Sequence, residues 1–371
     1  MPLGTQAAGI AIPFEREERV AEPIVTTDIA SAILVDTASG KILYAHEPAK
    51  TWTAASLTKL MTSHVFTTTP TKWEGNAAIL KADEVGGGRL QVSSGSVMTF
   101  RDILYSALIG SANNAAEALG RLFAPKAGKS AFIALMNQEA ANLGLVQSSY
   151  HDASGMNEKN TLSAYDTAVL IAETAEDPEA AKAMSLATYT FAIKKPVVKK
   201  TIKSTNDLLF SQKDLVITAG KTGFINEAKY NFVVRAYPKG EPEKELVAVV
   251  LGADVRKTSI DDSLMLMRWA WSGFDWKAST STVSLPKNRS LGDKGEDVKD
   301  LQKYLNTHGF LIAASGPGSP GKETALFGAL TKAALIRYQE AHADAILTPH
   351  KAVKGSGYLD YYTRFAMHSG M

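Results

Sequence analysis

The chain has 371 residues, 45% hydrophobic and 21% charged. That composition supports packed cores and excludes wholesale disorder, and at roughly 150 residues per domain the length suggests two or three domains. Lys and Arg number 40 against 38 Asp and Glu, a net charge of +2 that is too even for a protein held on nucleic acid through phosphates; no cysteine is present, which excludes disulfides, thiolate metal sites and a Cys nucleophile but leaves the compartment open.

Apolar stretches are broken by charges, Gly or Pro before the ~18 residues of a membrane span. Ala7 to Ile12 is apolar but is followed at once by Glu15, Arg16, Glu17, Glu18 and Arg19, a poor signal peptide. Residues 1–27 are therefore expected to be a linker or extension whose targeting sequence is missing.

Ala32 to Val35 and Ile42 to Tyr44 flank the turn Thr37-Ala38-Ser39-Gly40 and predict a hairpin. Leu57, Leu60, Met61 and Val65 recur at helical spacing across Ser56–Phe66, with Thr53 or Ser56 available as a cap. Further helices are expected over Phe100–Leu119, interrupted at Gly110-Ser111, over Ser130–Leu143 and over Thr161–Ala175. Leu215–Thr218, Asn231–Tyr237 and Leu246–Gly252 read as strands, and Ile260–Trp271 as an amphipathic helix. Strands at both ends of this region, with helices between, imply one mixed sheet assembled from distant segments. A Ser, Thr and Lys stretch ending at Pro286 reads as a linker. Beyond it, Gly295–Tyr304, Thr324–His342 and Tyr358–Met367 predict a small helical unit.

Several motif matches fail. His46-Glu47 lacks the second His of a zinc helix, since position 50 is Lys50. Gly220-Lys221-Thr222 lacks the glycine of a phosphate loop, where Leu215 stands, and Gly321-Lys322 is followed by Glu323 in place of a hydroxyl. The seven His residues show no ligand-like pairing, so neither a metal nor a cofactor is expected.

Ser56-Leu57-Thr58-Lys59 places a hydroxyl and an amine three apart, on one face of a helix. A Ser hydroxyl is a weak nucleophile until a base takes its proton, and a Lys with a depressed pKa can be that base. Alone, this pattern usually marks a solvated helix face; Ser111-Ala112-Asn113 alone reads as a turn or cap, and Lys221-Thr222-Gly223 as a strand edge. Their order along one chain, followed by strand-like sequence, changes the weighting, because three accidents in that order are far rarer than one.

The set Ser-x-x-Lys, Ser-x-Asn, Lys-Thr-Gly resembles that of the serine acyltransferases that include penicillin-binding proteins and class A β-lactamases. The run from Asp102 to Ala116 and His151-Asp152-Ala153-Ser154-Gly155-Met156 resemble the low-molecular-mass D-alanyl-D-alanine carboxypeptidases, over roughly residues 28–277. The resemblance implies an α+β fold, a β-lactamase/transpeptidase-like mixed sheet flanked by helices. It implies Ser56 as nucleophile, Lys59 as its base, and Ser111, Asn113 and Lys221 as proton relay and peptide-orienting groups. It implies Thr222 and Lys221 as carboxylate binders within the Lys-Thr-Gly of which Gly223 is the last residue, and backbone N–H groups of Ser56 and Phe224 as the oxyanion hole. Two neighbouring ammonium groups, Lys59 and Lys221, would lower each other's pKa. Some members carry an Arg before the Asn-x-Leu-Leu run; here Ser204-Thr205-Asn206-Asp207-Leu208-Leu209 lacks it, which bears on substrate preference, and Phe224 sets an apolar side chain beside the oxyanion hole. Glu158-Lys159-Asn160-Thr161-Leu162 does not fit the Glu-x-x-Leu-Asn of class A β-lactamases, so bound penicillin should be released slowly.

Leu291 to Leu305, Phe327 to Gln339 and Gly357-Tyr358-Leu359-Asp360 resemble the three-helix peptidoglycan-binding domain. Val298, Leu301, Leu305, Leu335 and Tyr338 recur at helical spacing and are expected in its core. The expected organisation is an extension (1–27), a penicillin-binding catalytic domain (28–277), a linker (278–287) and a peptidoglycan-binding-like domain (288–371). The implied protein is an exported serine carboxypeptidase of the periplasm or cell wall, with peptidoglycan as partner, β-lactams as covalent inhibitors, and neither nucleic acid nor a membrane span. A D,D-endopeptidase, or a wall-binding protein with a recognition-only catalytic domain, are the alternatives.

Overall fold

The computed structural model describes residues 10–17, 21, 23, 25, 28–69, 71–124, 126–278 and 283–370. In chain order the elements are β1 (Ala11–Glu15), β2 (Ser31–Asp36), β3 (Ile42–His46), β4 (Trp52–Thr53), α1 (Thr58–Thr67), β5 (Asn76–Ala78), β6 (Val97–Thr99), α2 (Phe100–Leu108), α3 (Asn113–Phe123), α4 (Gly128–Asn142), β7 (Thr161–Leu162), α5 (Ala164–Thr174) and α6 (Pro178–Ser185). Then come β8 (Thr188–Lys194), β9 (Val197–Lys203), α7 (Leu208–Ser211), β10 (Leu215–Ile225), β11 (Lys229–Pro238), β12 (Leu246–Ala253), α8 (Arg256–Gly273) and β13 (Phe274–Ala278). The C-terminal part holds α9 (Glu296–Thr307), α10 (Ala329–Ala341), α11 (Ala343–Ile346) and α12 (Tyr361–His368).

A five-stranded sheet in the order β10-β11-β12-β2-β3 organises the larger part. Its strands come from both ends of that region, as expected, and all four pairings are antiparallel. Every residue of β12 is buried, because both faces of this strand are covered. Val247, Val249 and Leu251 face one core together with Ile33 and Val35, while Leu246, Ala248 and Val250 face a second with Ala32 and Leu34. Residues of α1 to α5 fill the first core and residues of α8 the second. The sheet is thus sandwiched between helices, with β10 at one edge.

Local chemistry sets the helix boundaries. Thr99 and Asp102 form a reciprocal capping box at the start of α2, and the Ser163 hydroxyl accepts the Asp166 N–H at the start of α5, so that helix begins at Ala164, three residues after the expected Thr161. Neither Thr53 nor Ser56 caps α1; Ser56 lies in the 3-10 turn Ala55–Leu57 that leads into it. The break expected at Gly110-Ser111 separates α2 from α3, with Ser111 in a left-handed conformation (φ 55°). The hairpin β8-β9 has no counterpart in the sequence expectation.

The N-terminal extension and the linker differ from expectation where the structure describes them; residues 1–9, 18–20, 22, 24, 26, 27 and 279–282 lie outside the described residues. Ala11–Glu15 is a strand paired with Phe274–Ala278, so its apolar run finds a partner far along the chain. Val283 and Leu285 are buried in the core of the C-terminal helices with Val298, Leu301, Leu305, Leu335 and Tyr338.

That C-terminal unit packs directly on the sheet and on α5. The buried Arg364 donates to the carbonyls of Thr37 (2.8 Å), Ala38 (2.7 Å) and Leu285 (3.1 Å) and to Asn288 Oδ1 (3.0 Å). At Gly40 (φ 78°) a Cβ would stand 2.4 Å from the Tyr361 carbonyl oxygen, so the β2-β3 turn and α12 approach at backbone distance. Tyr165 of α5 stacks on Tyr362 and His350 at 4.6 and 4.9 Å between ring centroids.

Candidate active site

The 3-10 turn before α1, the α2-α3 break and β10 meet around a cavity of about 610 Å³ lined by Ser56, Ser111, Asn113, Thr222, Gly223 and Phe224 among others. All eight residues singled out in the sequence lie at this junction: six line the cavity, and Lys59 and Lys221 lie buried beneath it. Lys59 Nζ donates to Ser56 Oγ (2.8 Å), Asn113 Oδ1 (2.7 Å) and the Ser154 carbonyl (2.5 Å). Lys221 Nζ donates to Ser111 Oγ (2.8 Å) and the Thr222 carbonyl (2.7 Å). The Thr222 hydroxyl donates to the Thr205 hydroxyl at 2.6 Å.

The helix places Ser56 and Lys59 within reach, and burial changes what the amine can do. Desolvation pushes the Lys59 pKa down to about 7, although Asp152 and Glu117 pull it upward. Burial also drives Lys221 well below its ordinary value, and the charge of Lys59 adds to that. A substantial neutral fraction of Lys59, one hydrogen bond from Ser56 Oγ, is what a general base at neutral pH requires.

Three supporting residues had no assigned role in the sequence. Asp152 accepts the backbone N–H groups of Ser154 (3.0 Å), Gly155 (2.6 Å) and Asn157 (2.6 Å), which shapes the loop that presents the Ser154 carbonyl to Lys59. Asn231 on β11 donates to the Thr53 (2.9 Å) and Ala54 (3.2 Å) carbonyls and fixes the backbone entering the Ser56 turn. Arg256, at the start of α8, lines the cavity and donates to the Thr205 carbonyl (2.7 Å) and to Asp207 (2.8 Å). It supplies a guanidinium beside the Ser204-Thr205 stretch, where the sequence showed no cation. Asp152 sat in a quoted motif, but nothing local marks Arg256 or Asn231; only the sheet brings them to the site.

Gly223 lies tight against the serine turn. A Cβ there would stand 3.1 Å from the Ala54 carbonyl oxygen and 3.3 Å from the Ser56 nitrogen, so β10 and the serine turn are in near contact. Phe224, 48% exposed, stacks on Tyr230 at 4.4 Å and walls the cavity beyond that contact. The arrangement combines a base-paired nucleophile, a second amine and hydroxyl for proton transfer, and backbone donors beside the nucleophile. That set is suited to acyl transfer through a serine ester.

Residues 17–255 match the family model described as D-alanyl-D-alanine carboxypeptidase, and residues 294–343 match that of a peptidoglycan binding domain. A D-alanyl-D-alanine endopeptidase of Pseudomonas aeruginosa is 32% identical over 245 residues, covering 66% of this chain and 77% of that one. The D-alanyl-D-alanine carboxypeptidase DacF of Bacillus subtilis is 25% identical over 364 residues, covering 90% and 88%. Among solved structures, the Streptomyces K15 DD-transpeptidase superposes with a TM-score of 0.63 at 23% identity, over 68% of this chain and 100% of that one, a likeness of fold.

Proposed function

The chain belongs to the D-alanyl-D-alanine carboxypeptidase family, and on that premise we propose how its own residues carry out the reaction. It is a serine-type D-alanyl-D-alanine carboxypeptidase that trims peptidoglycan stem peptides. Neutral Lys59 takes the Ser56 proton as Oγ attacks the carbonyl of the penultimate D-alanine. The N–H groups of Ser56 and Phe224 receive the oxyanion. Ser111 and Lys221 relay that proton from Lys59 to the departing amine, D-alanine leaves, and Lys59, neutral again, takes a proton from the water that hydrolyses the Ser56 ester and returns it to Ser56 Oγ. Asn113 holds Lys59 in register, and Thr222 with Lys221 and Arg256 binds the terminal carboxylate. The observation that carries this reading is the contact of Lys59 Nζ with Ser56 Oγ inside a site dry enough to hold that amine near pH 7.

A β-lactam offers the same acylating carbonyl, so penicillin is expected to form an ester on Ser56 and to leave slowly. D-alanine release from a pentapeptide, abolished by Ser56→Ala, tests the reaction, and an intact folded protein without a mass adduct at Ser56 after penicillin would overturn it. The named activity of the Pseudomonas relative favours D,D-endopeptidase action as the second reading. Parallel assays on monomeric and cross-linked muropeptides separate the two. The division at residues 278–287 is supported by where the two family matches fall. The wall-binding match supports extracytoplasmic action, with the C-terminal unit holding the enzyme on peptidoglycan. Among the described residues no helix is long and apolar enough to cross a membrane.

A further inference from the structure

Strand β10 is an edge strand, paired with β11 on one side only. Along its run the cavity changes character. Near Thr222 it carries the Arg256 guanidinium in its lining; past Phe224 it is walled by Ile225, Asn226 and Glu227. Among the described residues, Arg256 and Glu227 are the charged side chains that line this cavity, and they have opposite sign.

Placing a D-alanyl-D-alanine peptide in this cavity, as the proposed reaction requires, fixes its direction. The terminal carboxylate lies at Thr222 and Arg256, and the scissile carbonyl at the Phe224 N–H. The rest of the peptide then runs along the open edge of β10 to its end at Ile225, beyond which the turn into β11 carries Glu227. At roughly 3.3 Å per extended residue, Glu227 lies at most about 10 Å beyond Phe224. A residue attached to the D-alanyl-D-alanine pair starts about 5 Å beyond the scissile carbonyl, and a lysine-length side chain covers the remainder. Glu227 is exposed and, among the described residues, has no ion-pair partner. Lys229, two residues on, is paired with Asp254.

We propose that Glu227 is a specificity residue that reads an ammonium on the side chain of the residue preceding the D-alanyl-D-alanine pair. The cleft thereby recognises a peptide with a carboxylate at one end and a basic side chain on the third residue from that end. This rests on the peptidase reading of the site and adds the substrate's side-chain chemistry to it. An ion pair in a partly open cleft is worth a modest discrimination, on the order of 3- to 10-fold in affinity.

The test uses two peptides, Nα-acetyl-Lys-D-Ala-D-Ala with its ε-ammonium free and the same peptide acetylated at Nε. Each is measured as a competitor of penicillin acylation at Ser56 and, separately, for D-alanine release. The expected result is an inhibition constant about 3- to 10-fold lower for the free ammonium in the wild type. Glu227→Gln should bring that ratio close to one, Glu227→Lys should invert it, and 0.5 M salt should shrink it in the wild type. Equal inhibition constants in the wild type, or an unchanged ratio in a folded Glu227→Gln protein, would overturn the proposal. Because the ratio is read from binding, absence of D-alanine release from both peptides would instead strike the peptidase reading.

Discussion

Gly155 and Ala55 lie closer than any two side-chain-bearing residues could. A Cβ on Gly155 would sit 1.9 Å from the Ala55 carbonyl oxygen, and both residues have positive φ, 86° and 46°. The loop after Asp152 is therefore pressed against the turn that carries Ser56. Gly155→Ala must separate them and also adopt a conformation L-residues avoid, at an expected cost of at least about 2 kcal/mol. Penicillin acylation should fall by more than tenfold; a melting curve and an acylation rate equal to wild type would show that the contact is dispensable.

The state of Lys59 sets the pH dependence. As its amine must be neutral to accept a proton, acylation of Ser56 should rise about tenfold per pH unit below 7 and flatten above it, because the Lys59 pKa lies at about 7. Stopped-flow acylation across pH 5 to 9 measures this. Lys59→Arg keeps a cation that never deprotonates in this range, so its rate should drop by several orders of magnitude at every pH.

Asp152 acts on Lys59 in two ways that can be separated. Its charge raises the Lys59 pKa, and its oxygens hold the loop that offers the Ser154 carbonyl to that amine. Asp152→Asn should therefore move the midpoint of the pH profile to lower pH while lowering the plateau, by about tenfold or more. A reduced plateau with an unmoved midpoint would mean that Asp152 contributes shape alone.

Arg364 joins the C-terminal unit to the β2-β3 turn through three backbone carbonyls and an amide oxygen, with no carboxylate in salt-bridge contact among the described residues. Arg364→Met leaves those carbonyls unmet in a buried seam, which should cost about 3 kcal/mol or more. The expected readout is a lower melting temperature and faster proteolysis between the β13 end and α9. Unchanged proteolysis would mean that the other contacts, such as the aromatic stack around Tyr165 and the Tyr358 hydroxyl on Glu173, hold the unit without it.

Much of the sheet was legible in the chain, because buried strands such as β12 must be apolar throughout and hairpins need turn residues. The hairpin β8-β9 was not. Its second strand, Val197–Lys203, is mostly exposed and lysine-rich, so it lacks the one-sided apolar pattern by which a strand is read. Apolar spacing over Thr161–Ala175 predicts one helix, yet the Ser163 cap starts the helix at Ala164 and leaves Thr161–Leu162 to pair with Trp52–Thr53.

The nucleophile, its amine and the three motifs were readable from order and spacing, since a helix brings residues three apart together wherever it lies in the fold. The sequence by itself thus determined which groups meet at Ser56. Their working state was decided by tertiary structure alone. Lys59 is near neutrality because it is stripped of water, Arg256 and Glu227 face one cavity because α8 and the turn between β10 and β11 both border it, and Arg364 is satisfied by carbonyls from the far end of the chain. Desolvation and long-range proximity depend on what surrounds a residue in space, and no local pattern encodes that.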